Sequence, residues 1–387
     1  TPVSDGALLI FLGGAVAVSL GGLVVQLLEG RRGPAEGGRL ARAVRSPLVV
    51  RRLIDAGVLV LLLALPIRFA RLRQLSGGSL DVLSSDFWVR VRQAAILESD
   101  AGASSVLALT DNVVLLSLFV ALAAVADDVA ARALRLRTVV IVPLALFYQL
   151  STASRSSGMA LVCGLIGIAW MTSGRWSLRS IALGALGALV VFSCAAVFMN
   201  KGGRLDAGLL ENVRGVADVL VLYAVGPVVA FDEALADPHA VPAVWSIGYS
   251  LVQVANKLGA SIVLPSIHAV YVRVAPGLWM NVYTLYFAYV PDFGIAGALL
   301  LLCVVGIVLT WLFRRAVAGD PRARLVYATT LSAIAMSGFN EQLFMNMSFY
   351  AKAAVFACVL YGLPSLGWLR VGATAGAARA RLRASSS

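Results

Sequence analysis

The 387-residue chain is 60% hydrophobic, carries only 13% charged residues and has a mean hydropathy of +0.87. A water-soluble domain with so little polar surface cannot cover its own core, so soluble enzymes and nucleic-acid-binding domains are excluded and a lipid bilayer is expected as part of the solvent. The net charge of +12, from 29 Arg and 3 Lys against 20 acids, therefore reads as membrane orientation and not as a nucleic-acid footprint.

Backbone groups in hydrocarbon must be satisfied within the segment, which leaves helices or closed barrels. The apolar stretches run about 15 to 24 residues without strict alternation, and this selects helices. In chain order, spans are expected near 6–28, 53–69, 104–126, 138–153, 158–173, 180–199, 294–313, 325–340 and 350–368. The first is too long for the core of a signal peptide and has no basic segment before it. The expected class is all-α, a polytopic transmembrane bundle of roughly nine to eleven spans. One membrane domain would cover 1–370, and a basic, disordered tail would follow over 371–387.

The basic residues set the expected direction of each span. Loop 30–52 holds Arg31, Arg32, Arg39, Arg42, Arg45, Arg51 and Arg52. Arg132, Arg135 and Arg137 follow two spans later, then Arg175 and Arg179, then Arg314, Arg315, Arg322 and Arg324, and finally Arg370, Arg379, Arg381 and Arg383. These five segments hold 20 of the 32 basic residues and share one side if there are nine spans. That side is expected to be the cytoplasm, with the C-terminus inside. Trp170, Trp176, Trp311 and Trp368 fall at the same ends, as an aromatic belt requires. The cysteines, Cys163, Cys194, Cys303 and Cys358, lie inside apolar runs with no pairing or ligand spacing, so no disulfide framework and no metal are expected.

Two segments on the opposite side are unusual. Segment 69–103 is polar and amphipathic, with Arg71, Arg73, Asp81, Asp86, Arg90, Arg92 and Glu98. Segment 200–293 is long and half hydrophobic. Its stretch 216–235 has nearly the composition of a span, but counting it as one would invert every later loop, so a helix packed at the outer interface is expected. Such a segment can rest on lipid and cover a cavity.

Candidate chemistry collects on this side. The turn STASRSSG, 151–158, carries Arg155 as its one charge. It reads either as an interfacial anchor or as a phosphate clamp, because guanidinium donates bidentate bonds and stays charged. Lys201, Arg204 and Arg214 run against the positive-inside trend. Pairing with Asp206, Glu211 and Asp218 at helical spacing is one reading, and facing an anionic substrate is the other. The stretch 281–297, NVYTLYFAYVPDFGIAG, is dense in polar-tipped aromatics, with Tyr283, Tyr286 and Tyr289. It contains Asp292, which suits a helix N-cap. Asp111 and Asn112 stand out as polar residues deep in span 104–126, where ionisable groups mark transport paths in carriers.

NVYTLYFAYVPDFGIAG resembles the most recognisable stretch of the Wzy-type oligosaccharide repeat-unit polymerases of O-antigen and exopolysaccharide synthesis. YAVGPVVAFD and the turn STASRSSGMAL are similar to two further segments of that family, and the three together cover roughly positions 150–300. The resemblance implies a metal-independent, cofactor-free glycosyltransferase of GT-C-like architecture in the plasma (inner) membrane, with its site facing the periplasm or exterior. Its donor and acceptor would be glycans on undecaprenyl pyrophosphate, and a chain-length regulator would be a possible partner. Fixed cations would stabilise the leaving pyrophosphate, a role that suits Arg155, Arg204, Arg214 and Arg273. Asn281, Tyr283 and Tyr286 would contact sugar, together with Tyr271, Trp279 and Tyr289. For the base that takes the acceptor proton, His268 leads over His239, with Asp292 and Glu341 as competing carboxylates. An O-antigen ligase using the same donor, and a lipid-linked oligosaccharide flippase or other transporter, are the alternative functions.

Overall fold

A computed structural model of the chain describes residues 3–30, 47–82, 84–100, 105–152, 154–173, 209–236, 246–263, 272–275, 278–280, 284–338 and 341–362, with scattered positions between 179 and 194. The described residues are predominantly helical. In chain order the elements are α1 (Asp5–Gly30), α2 (Leu48–Leu75), α3 (Ser85–Asp100), α4 (Ser105–Ala131), α5 (Leu136–Leu150), α6 (Arg155–Ser173), α7 (Leu209–Ala236) and α8 (Tyr249–Lys257). A hairpin of β1 (Val272–Ala275) and β2 (Leu278–Met280) follows, then α9 (Leu285–Val317), α10 (Pro321–Met336) and α11 (Met347–Gly362). The short antiparallel hairpin leaves the described residues in the expected all-α class. The described positions between 179 and 194 are helical, while the tail 371–387 lies outside the described residues.

Among the described residues, four stretches are long and apolar enough to cross a membrane: Asp5–Leu28, Thr110–Ala131, Ser156–Ser173 and Leu285–Val317. Helices α5 and α11 are apolar but shorter. Large apolar side chains cover the outside of the molecule, among them Leu9, Leu12, Leu27, Leu28, Leu63 and Leu300. Such a surface suits hydrocarbon and not water.

Helix α4 is the axle of the main bundle. Its eight residues Ser117 to Ala124 are all buried, as expected of a helix that is apolar all round and surrounded by others. Around it, α2, α5, α6, α10 and α11 contribute Ile54, Leu61, Ile141, Tyr148, Leu161, Ala328 and Ala357 to one core. Named contacts give the helix directions. Arg137 meets Asp55, the Tyr148 hydroxyl donates to the Leu61 carbonyl at 2.8 Å, and Arg68 meets Ser151, so α2 and α5 run parallel. Asp127 meets Arg137 while Gln149 reaches the Val114 carbonyl, so α4 and α5 are antiparallel.

Helices α1 and α9 form a second unit, parallel and in close approach. A Cβ built on Gly21 would strike the Cys303 carbonyl of α9, and one on Gly306 would strike the Val18 carbonyl of α1. Small residues let helix backbones approach where lipid supplies no hydrophobic drive. Helix α9 is broken at Gly294, whose φ of 67° and ψ of 175° suit glycine, just after Pro291. The expected span 294–313 is thus the straight second half of a longer element. At the other end of α9, Gly319 at φ 101° turns the chain and Asp320 caps α10 by accepting from the Arg322 amide at 2.9 Å.

One end of the main bundle is closed by charge. Asp127, fully buried, pairs with Arg135 and Arg137, and Arg51 approaches it at 3.9 Å. Asp128 accepts from the Arg135 amide at 2.7 Å. The basic residues of that loop are therefore partly neutralised by the last turn of α4.

The described part of segment 200–293 packs on α1, α9 and the segment leading into α11. The C-terminal half of α7 packs Ala230 and Phe231 against α1 and α9, while Val221 and Val225 stay exposed. Ser4, just before α1, donates its amide to Asp232 at 2.9 Å. Helix α3, from the amphipathic segment 69–103, folds onto the end of α2 through Leu72, Phe87 and Val91.

Candidate functional site

The end of the main bundle opposite the ion pairs holds a cavity of about 240 Å³. Five helices contribute by their ends. Helix α4 supplies Asp111 in its second turn, α5 ends on Gln149, and α6 opens with Ser156 and Ser157. Helix α10 closes with Ser332, and the segment leading into α11 brings Gln342 and Asn346 ahead of Tyr350. Polar side chains meet here because each apolar helix spends its few hydrogen-bonding residues in its terminal turns.

The walls are fixed by local bonding. The Gln149 amide donates to the Val114 carbonyl at 2.8 Å and to Ser117 Oγ at 3.2 Å. Thr152 donates to the Gln149 carbonyl at 2.7 Å, and Ser154 and Ser156 share a 2.7 Å bond, which rigidifies the serine turn. Behind it, Arg68 is 6% exposed and grips Ser151 by two bonds. Asp111 lies within electrostatic reach of that guanidinium and is itself exposed. Lys352 of α11 donates to Asn112 at 3.1 Å, adding a second cation beside the α4 opening.

Glu341 shapes the other wall. Its Oε1 accepts from the Leu343 amide at 2.7 Å, the Phe344 amide at 2.8 Å and the Tyr289 hydroxyl at 2.8 Å, and its Oε2 accepts from the Met345 amide at 2.8 Å. This buried carboxylate ties α9 to the segment that carries Gln342 and Asn346. Ser250 of α8 covers the same segment by donating to the Phe344 and Met345 carbonyls.

The expected site residues fall in several places. Four donors already occupy Glu341, which favours a positioning role over proton transfer. Asp292 does not start a helix: it sits inside α9 between Pro291 and the Gly294 break, and its Oδ2 accepts from the Ser246 amide at 2.6 Å and hydroxyl at 2.7 Å. Tyr286 is buried, with its ring edge-on to Phe11 at 4.7 Å and its hydroxyl donating to the Phe11 carbonyl, so it packs helices where sugar contact was expected. Arg214 is exposed near the start of α7. Arg155 is the first residue of α6, adjoining Ser156, but its side chain and that of Arg273 in β1 lie outside the described residues. His268, Arg204, Asn281 and Tyr283 lie outside them altogether.

Sequence reading missed Arg68, Gln149, Gln342, Asn346 and Lys352. Arg68 and Gln149 carried a usable signal, a polar residue near the end of an apolar run; the others had none. Among the described residues no group of three or more His, Cys, Asp or Glu is placed to hold a metal. Comparison with protein-family models, with curated proteins and with solved structures finds no match to this chain.

Proposed function

We propose that the chain is a GT-C-like membrane glycosyltransferase that lengthens undecaprenyl-pyrophosphate-linked oligosaccharides at the outer face of the plasma membrane, in the cavity that Asp111 lines. The observation that carries this reading is the cavity's composition. A carboxylate, three serines, a threonine and three amide side chains face one space at the end of an otherwise apolar bundle. Hydroxyls and amides in such a ring are the groups that bind sugar hydroxyls by reciprocal donation and acceptance. The turn STASRSSGMAL, one of the three segments that resemble repeat-unit polymerases, contributes Ser156 and Ser157 to it.

In this reading the acceptor hydroxyl attacks the anomeric carbon of the donor. The new glycosidic C–O bond forms as the bond to the diphosphate oxygen breaks. The lipid diphosphate leaves with the electron pair, and the acceptor's proton passes to Asp111. Arg155, at the N-terminus of α6 and next to the cavity's serines, is the fixed cation for the diphosphate, helped by the amides of that helix end. The positive-inside bias supports placing the Asp127 ion-pair end in the cytoplasm and the cavity outside.

The test is chain extension by the purified protein in liposomes with a fluorescent lipid-linked repeat unit, read as a ladder on a gel. Asp111→Asn should slow extension by about 10²-fold or more, as loss of a general base does. A carrier is the second reading, favoured by the same Asp111 in α4. Movement of the labelled lipid across the bilayer without any gain in length would establish it and remove the transferase. Transfer of a single glycan to a different lipid acceptor, with no ladder, would mark a ligase.

A further inference from the structure

Beside the polar cavity lies a furrow of about 290 Å³ between α2 and α4. Its lining is apolar, from Val60, Leu63, Ala64 and Ile67 on α2 and Val113 on α4, and it ends at Arg68 and Thr110. Leu63 and Ile67 are 68% and 51% exposed, so the furrow faces the surroundings of the bundle. For helices of this composition those surroundings are lipid. From residue 60 to residue 67 the furrow follows α2 for about 10 Å.

The furrow and the cavity are neighbours along α4 and at the Arg68–Ser151 contact. Thr110 of the furrow precedes Asp111 of the cavity, and Val113 precedes Val114. Arg68 closes the furrow while bonded to Ser151, the residue before cavity-lining Thr152. The apolar furrow therefore ends at a buried, permanently charged guanidinium, with a hydroxyl- and amide-lined space next to it. A single-chain lipid with an anionic head and a sugar beyond it matches that order of surfaces. A two-chain phospholipid would leave one chain outside a furrow bounded by only two helices.

We infer that the α2–α4 furrow holds the diphosphate-proximal isoprene units of the polyprenyl chain of a lipid-diphosphate-linked glycan, with the diphosphate drawn toward Arg68 and the glycan in the cavity. The inference rests on the glycosyl-transfer reading for the identity of the lipid. Ala64 is then a specificity residue: its small side chain leaves the room that the branched chain occupies.

The experiment is photolabelling of the full chain in nanodiscs of phosphatidylethanolamine and phosphatidylglycerol, using undecaprenyl diphosphate that carries a benzophenone on its chain. Adducts are expected on the α2 stretch 60–67 or the α4 stretch 110–113, competed by unlabelled undecaprenyl diphosphate and not by added phosphatidylglycerol. Ala64→Trp and, independently, Val113→Trp fill the furrow and should lower labelling about tenfold, the cost of roughly 1.4 kcal/mol of binding. Leu27→Trp, on the exposed face of α1, should label as wild type. Melting curves identify which filled variant is folded and used. Adducts confined to other helices, wild-type labelling in a folded filled variant, or equal competition by phosphatidylglycerol would each overturn the inference. Labelling in the furrow without chain extension removes the transferase and leaves the lipid site. Extension with unchanged labelling in the filled variants removes the lipid site alone.

Discussion

Arg68 holds Ser151 by two bonds, Nε to the hydroxyl at 2.7 Å and Nη2 to the carbonyl at 2.6 Å, across 83 residues of sequence. The contact ties the cavity end of α2 to the end of α5 and stops the serine turn from swinging away from Gln149. A guanidinium makes this two-pronged grip because its donors are fixed in one plane. Arg68→Ala is expected to cost about 1.5–3 kcal/mol, the worth of hydrogen bonds to a charged group. Arg68→Lys keeps the charge but not the fork, and should recover only part of that loss. Thermal unfolding in detergent checks both; a lysine variant as stable as wild type would show that charge alone matters at this position.

Glu341 and Asp111 are two carboxylates near the cavity, and their surroundings separate their roles. With its two oxygens bonded to three amides and a hydroxyl, Glu341 is committed to structure. Glu341→Gln sets an N–H donor against an amide donor, so a stability loss of about 1–3 kcal/mol is expected. Tyr289→Phe removes one donor and should cost about 1 kcal/mol, with extension falling only modestly. The deciding comparison is unfolding and chain extension measured on the same samples. A Glu341→Gln protein that melts like wild type yet has lost extension would make Glu341 the base and displace Asp111.

The α1–α9 contact gives a contrast within one helix. A Cβ on Gly13 would meet Leu299 at 3.5 Å, an ordinary contact, whereas a Cβ on Gly21 would meet the backbone of Cys303. Gly13→Ala should therefore be neutral or gain up to about 1 kcal/mol from helix propensity. Gly21→Ala and Gly306→Ala must push two backbones apart, and each should lose about 1–3 kcal/mol. Equal melting temperatures for the Gly13 and Gly21 variants would mean that the helices are not held this closely.

Much of the architecture was legible because hydropathy and length act locally. The apolar runs 6–28, 104–126 and 158–173 reappear as α1, α4 and α6 with ends moved by a few residues. The relative directions of α2, α4 and α5 follow from counting spans and agree with the contacts that join them. The candidate site was less legible. Arg68 and Ser151 are neighbours only after two helices pack side by side, and no local pattern joins them. Tyr286 shows the opposite failure. An aromatic with a polar tip reads as a sugar contact, but its ring fits between Phe11 and Phe231 and its hydroxyl finds a carbonyl inside the protein. Asp292 read as a cap because an apolar run begins just after it, whereas the helix break falls at Gly294 and Asp292 lies inside α9.

The ion pairs at the far end of the bundle provide the last prediction. The Asp127 side chain is fully buried and neutralises Arg135 and Arg137 at the start of α5, while Arg51 of α2 stands 3.9 Å away. Removing one member of a buried cluster leaves charge with no partner, which costs more than the pairing itself contributes. Asp127→Asn should thus destabilise the protein by about 3–5 kcal/mol. Asp128, whose Oδ1 stands 3.6–3.7 Å from the same two arginines, softens the loss without replacing the closer contacts. Adding Arg137→Met to Asp127→Asn should return part of the stability, because the second change removes the stranded cation. The coupling between the two, measured by a double-mutant cycle, should lie at about 0.5–3 kcal/mol. Additive losses would mean that Asp127 acts on the backbone of the α4–α5 turn and not on Arg137. Extension per folded molecule should stay unchanged in all three variants, since this cluster lies at the end of α4 opposite Asp111.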